Sequence, residues 1–145
     1  MDMHGRCRYT GLDRECTLEE LAGFHGHLGP YIVIGYRMGR YIRKHFCGDP
    51  FSLSARIYCS GRTPETCLAD GVQLGSGCTI GKGNIDIIMH DSISVEFATP
   101  SGCVICIPRP YRLPPQGPDY ARAVEDLAVQ LFTEPDETLF DVITS

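Results

Sequence analysis

The stretch that most constrains this chain is PYIVIGYRMGRYIRKH, residues 30–45. Pro30 suits the first turn of a helix, where its missing N–H has no partner to lose. Ile32, Val33, Tyr36, Met38 and Tyr41 then make that helix apolar on more than one side. A helix of this kind is not a surface element, and the pattern predicts one at the centre of the domain. Gly35 and Gly39 stand four apart, hence on one face, and permit another backbone to come close.

The rest of the chain reads as elements around that helix. TLEE at 17–20 is a capping box, with Leu18, Leu21 and Ala22 supplying an apolar face, so a first helix runs from Thr17 to near Gly26. FSLSARIYCS (51–60) alternates apolar and polar as a half-buried strand does. Thr63 and Pro64 repeat the cap-then-proline signal ahead of a short helix in PETCLADGVQLG. IDIIMH, SISVEFA and CVICI, separated by short turns, predict three strands in an antiparallel meander. The prolines from 108 to 118 mark an exposed connector, DYARAVEDLAVQLF an amphipathic helix, and the acidic tail after Pro135 either a short final strand or disorder. The expected architecture is one α+β domain over residues 1–145, an antiparallel sheet of about four or five strands flanked by helices.

A formal charge of −5 excludes the basic footprint of a nucleic-acid binder, since the small cluster of Arg6, Arg8 and Arg14 is interrupted by Asp13 and Glu15. No apolar run approaches a membrane span, and the first ten residues lack a signal-peptide core, which predicts a cytoplasmic protein. In that compartment the eight cysteines point to metal binding, reactive thiols or simple burial rather than to disulfides. Cys103 and Cys106 mimic a redox pair, but residues three apart on a strand face opposite ways.

Two constellations carry chemistry. In FHGHLGP (24–30), His25 and His27 would diverge on a regular helix, yet the glycines at 26 and 29 allow a turn on which both converge. The pair reads either as half of a metal site or as residues closing one helix and opening the next. In PETCLADGVQLGSGCTIGKGN (64–84), Cys67, Asp70 and Gln73 share a helical row, and Cys78 sits in a glycine-flanked loop. The backbone N–H groups of that loop, with Lys82 beside them, form a candidate anion nest, although the Walker A pattern fails at Ser76 and Gly83. Glu65 belongs either to the same cleft or to the helix dipole alone.

Taken in order, FHGHLGP, the glycine-spaced helix and ETCLADGVQLGSGCTIGKGN resemble the core domain of the formylmethanofuran dehydrogenase E-subunit family. The matching positions are His25, His27, Cys67, Asp70, Cys78, Lys82 and Asn84. The resemblance implies an α+β core that commonly forms a homodimer, with a cleft built from the histidine motif and the cysteine-bearing loop. It also implies a link to molybdenum or tungsten enzymes of one-carbon metabolism. The family's pattern places a cysteine two residues after the second histidine, where this chain has Gly29. The cysteine-rich zinc finger that some members append after the core has no counterpart here.

Three functions follow as expectations. The first is a metal- or cofactor-binding protein, with His25, His27 and Cys67 or Cys78 as ligands. That nitrogen and sulfur donor set favours zinc among the transition metals, with nickel, copper or iron as alternatives. The second is a small-molecule enzyme, with Cys67 or Cys78 as nucleophile, Asp70 orienting a histidine base, and Lys82 and Asn84 holding an anionic group. The third is a structural dimeric partner protein.

Overall fold

The computed structural model describes residues 14–145. Helix α1 spans Leu18–His25, and its start is the expected capping box: Thr17 Oγ1 accepts from the Glu20 N–H while the Glu20 carboxylate accepts from the Thr17 N–H. Gly26, in the left-handed region at φ 97°, ends it. Helix α2, Pro30–His45, begins at its proline as predicted and buries Ile32, Val33, Ile34, Tyr36, Met38 and Ile42. It is the central helix, packed against both α3 (Cys67–Ser76) and α4 (Tyr120–Phe132). His4, Cys7, Arg6 and Arg8 lie outside the described residues, and Arg14 pairs with Glu20.

The α2–α3 contact is backbone against backbone. A Cβ built on Gly35 would stand 2.3 Å from the Leu68 carbonyl oxygen, and one on Gly39 would stand 2.4 Å from the Ser76 nitrogen. The facing helix answers with its own pair: Gly71 and Gly75 would set a Cβ 2.1 Å from the Ile32 oxygen and 2.2 Å from the Tyr36 oxygen. Gly35 and Gly39 were legible in the sequence as a close-approach face. Their partners at 71 and 75 were not, because nothing local marks two helices as mates.

The sheet has five strands among the described residues: β1 (Ser54–Cys59), β2 (Ile85–Met89), β3 (Ser94–Thr99), β4 (Gly102–Pro108) and β5 (Phe140–Thr144). Their order is β2-β1-β3-β4-β5. The sheet is mostly antiparallel, in keeping with the α+β expectation, but the meander needs correction. β2 pairs in parallel with β1, and β3 crosses to the other side of β1 to pair antiparallel with it. The reason is α3, whose passage from β1 to β2 makes a parallel crossover, so β2 takes an outer edge and cannot lie beside β3. The residues after Pro135 do form a final strand, behind the short helix α5 (Asp136–Leu139).

Two boundaries also moved. The strand in FSLSARIYCS starts at Ser54, because Pro50–Ser52 turn as a 3-10 helix on the Asp49 side chain. α3 starts at Cys67, after a cis Thr63–Pro64 bond and a turn. Ala55, Ile57, Val95, Phe97, Val104 and Cys106 point from the sheet into the core, while Cys103, on the opposite face, stays half-buried. The two thiols diverge as the strand period requires. Among the described residues no helix is long and apolar enough to cross a membrane.

Candidate functional site

The turn between α1 and α2 sets the geometry. Gly26 reverses the chain in a conformation an L side chain rarely adopts, and Gly29 is the extended residue before α2. Between them His25 and His27 converge, their ring centroids 4.6 Å apart. A Cβ on Gly29 would lie 3.5 Å from the His27 ring, an ordinary contact. Position 29 is therefore not reserved for glycine by crowding, and a side chain there would stand against the His27 imidazole.

Across the gap, the first turn of α3 brings Asp70 to His25. The Asp70 carboxylate lies 2.5 Å from His25 Nδ1. His25 is largely buried, and its other nitrogen, Nε2, is fully buried with no hydrogen-bond partner among the described residues. A carboxylate on Nδ1 fixes the tautomer that leaves Nε2 as a bare acceptor. Leaving such a group buried and unsatisfied costs about 1–3 kcal/mol.

His25, His27 and Cys67 all line one cavity of about 550 Å³. Burial, and secondarily the Asp70 charge, push the Cys67 thiol above its ordinary value. Glu65 lines the same cavity, and its carboxylate accepts from the Ser60 N–H at 2.8 Å. Among the described residues no group of three or more His, Cys, Asp or Glu side chains is already disposed to hold a metal ion.

The glycine-rich loop goes elsewhere. Cys78 is fully buried, and burial pushes its thiol up. The N–H groups that could have formed a nest are satisfied inside the loop: Cys78 by Ser76, Thr79 by Asn84, Ile80 by Gln73, and Lys82 and Gly83 by Thr79. Lys82 Nζ donates to the Gly77 carbonyl at 2.8 Å, neutralising the negative end of α3, and lies over the Phe51 ring. Asn84 Nδ2 donates to the carbonyls of Pro50 and Leu53, both at 3.0 Å, which ties the loop to the approach to β1. Of the residues the sequence singled out, His25, His27, Cys67 and Asp70 are brought together. Cys78, Lys82 and Asn84 are not part of that group.

Sequence reasoning missed the other wall of the cavity. Pro110, Tyr111 and Leu113 of the connector, with Pro108 at the end of β4 and Tyr120 of α4, line the same cavity as the histidines. Tyr111 meets Tyr31 edge to face at 5.8 Å and is buried enough that its hydroxyl is pushed well up. The signal was present: tyrosines at 111 and 120 bracket a proline-rich segment that a purely solvated linker would not need.

The family model described as FmdE, molybdenum formylmethanofuran dehydrogenase operon, matches residues 24–104. Its span takes in the histidine turn, α2, α3 and the first three strands, and stops within β4, short of the connector and α4. Among solved structures, an FmdE-like protein of the tungsten formylmethanofuran dehydrogenase type, from Syntrophus aciditrophicus, aligns with a TM-score of 0.54 at 20% identity. The alignment covers 88% of this chain and 69% of that one, a likeness of fold. No curated protein matches the chain.

Proposed function

The chain belongs to the FmdE family of the molybdenum formylmethanofuran dehydrogenase operon, and from that premise we propose that it binds a transition metal through His25 and His27, with Cys67 as third protein donor. The reading sets it beside molybdenum or tungsten enzymes of one-carbon metabolism, as a cytoplasmic homodimer. The observation that carries it is the buried, unpartnered Nε2 of His25, on a ring whose other nitrogen is held by Asp70. Carboxylate, imidazole and metal in line is the arrangement by which proteins orient a histidine ligand and raise its basicity. Two imidazoles and a thiol favour zinc, and nickel, copper and iron accept the same donors. A bound ion would supply Lewis acidity beside the cavity. The protein's own part is to orient His25, bring His27 to it and keep the pocket apolar.

The small-molecule enzyme reading shares the His25–Asp70 pair, which has the form of a base and its orienting group. It is weaker on the nucleophile, since burial raises both Cys67 and Cys78 and closes Cys78 off. Elemental analysis of the untagged chain, purified under reducing conditions, tests the metal reading. About one metal per chain is expected, lost in a folded His25→Ala/His27→Ala variant. A double variant that keeps its metal would sink the assignment.

A further inference from the structure

The chemistry of the cavity wall restricts what can enter. Among the described residues its charged side chains, histidines apart, are Glu65 and Arg109. Arg109 donates through Nε and Nη2 to Asp141 at 2.9 and 2.7 Å, while Glu65, which accepts from the Ser60 N–H, puts a carboxylate in the wall. Lys82, the cation the sequence offered for an anionic ligand, is folded onto Gly77 outside this cavity. The rest of the lining includes Tyr31, Tyr111 and Tyr120 with Leu113 and flanking prolines, a surface of rings and aliphatic carbon. An anionic guest would have to shed water there beside the Glu65 carboxylate, with the Arg109 guanidinium already paired. A ring would bury its faces against tyrosine and proline.

We propose that the cavity takes an organic molecule that carries no negative charge and bears one or two rings, laid against Tyr111 and Leu113 and presenting a single nitrogen, oxygen or sulfur donor to the His25 end. The donor half of this inference rests on the metal reading above; the ring half rests on the wall alone. A volume of about 550 Å³ is within the range that encloses a small organic ligand.

The test uses the full chain loaded with cobalt, whose visible spectrum reports its ligands, and three probes: imidazole, 4-phenylimidazole and imidazole-4-acetate. The phenyl compound should bind about tenfold or more tightly than imidazole, the gain expected from burying one ring. The acetate should bind no better than imidazole. Leu113 is half exposed, so Leu113→Asp should fold. It should remove most of the phenyl advantage while leaving cobalt content and imidazole affinity unchanged. Equal affinities for imidazole and 4-phenylimidazole in cobalt-loaded protein, or tightest binding of the acetate, would overturn the inference and leave the metal reading standing. A chain that takes up no cobalt is tested with p-cresol by calorimetry. Binding weakened by Leu113→Asp would keep the ring site and reject the metal, and no binding would reject both.

Discussion

At the scale of single residues, Asp70 decides what His25 can be. Without the carboxylate the imidazole could present either tautomer; with it, Nδ1 carries the proton and Nε2 the lone pair. Asp70→Asn keeps the shape and removes the charge. Metal affinity should fall by about 10–100-fold in competition with a chromogenic chelator, with an unchanged circular dichroism spectrum. An unaltered affinity would mean that the contact only braces the turn. The same charge acts on Cys67, whose thiol is held above 9.0 by burial first and by Asp70 second. In metal-free protein Cys67 should therefore react slowly with iodoacetamide at neutral pH, its rate still climbing with pH where an ordinary thiol's has levelled off. Asp70→Asn should shift that rise toward lower pH, since it removes a negative charge. Rapid labelling of Cys67 at pH 7 in the native protein would contradict this. The four residues that meet were readable because glycines flank the histidines and because 67 and 70 share a helical row. The roles of Lys82 and Asn84 were not, because they depend on carbonyls at 50, 53 and 77 whose positions no local pattern announces.

At the scale of elements, the α2–α3 interlock admits no side chain. A methyl group on Gly39 or Gly75 would meet backbone atoms of the other helix, which cannot swing aside. Gly39→Ala and Gly75→Ala should each cost about 1–3 kcal/mol or more by overpacking, seen as a lower midpoint in thermal unfolding. Gly23 is the control, in the interior of α1 with nothing within 4 Å of its missing Cβ. Gly23→Ala should gain about 0.5–1 kcal/mol from helix propensity alone. If all three substitutions shift stability in the same direction, the interlock does not have the role given to it. Local pattern was a good guide to each element and a poor one to their order. Apolar alternation identifies IDIIM as a strand, but which edge it joins follows from α3, which carries the chain over the sheet and lands it parallel to β1.

At the scale of the whole molecule, the core carries thiols as hydrocarbon. Cys106 is fully buried on β4, and burial, with the Asp136 charge second, pushes its thiol up to about 12 from 9.0. A group whose folded pKa is raised stabilises the fold fully below its unfolded value and loses that contribution as pH climbs through the folded one. Between pH 9.0 and about 12 the protein should thus lose on the order of 4 kcal/mol through this residue alone. Denaturant melts at stepped alkaline pH would show the decline, and Cys106→Val should flatten it. A curve of unchanged slope in the variant would assign the alkaline loss to other groups.

The glycine interlock also says where this architecture can change. Backbone pressed on backbone at Gly35, Gly39, Gly71 and Gly75 has nothing to exchange, so substitution cannot change the spacing of α2 and α3 behind the histidine turn without parting the helices. The other wall, residues 109–113 with Tyr120 and Val124 of α4, lies beyond the span of the family match. The family match thus takes in the histidine half of the pocket and omits the connector half. Grafting the connector and α4 of one relative onto another should carry ligand preference across while leaving the histidine turn as it was.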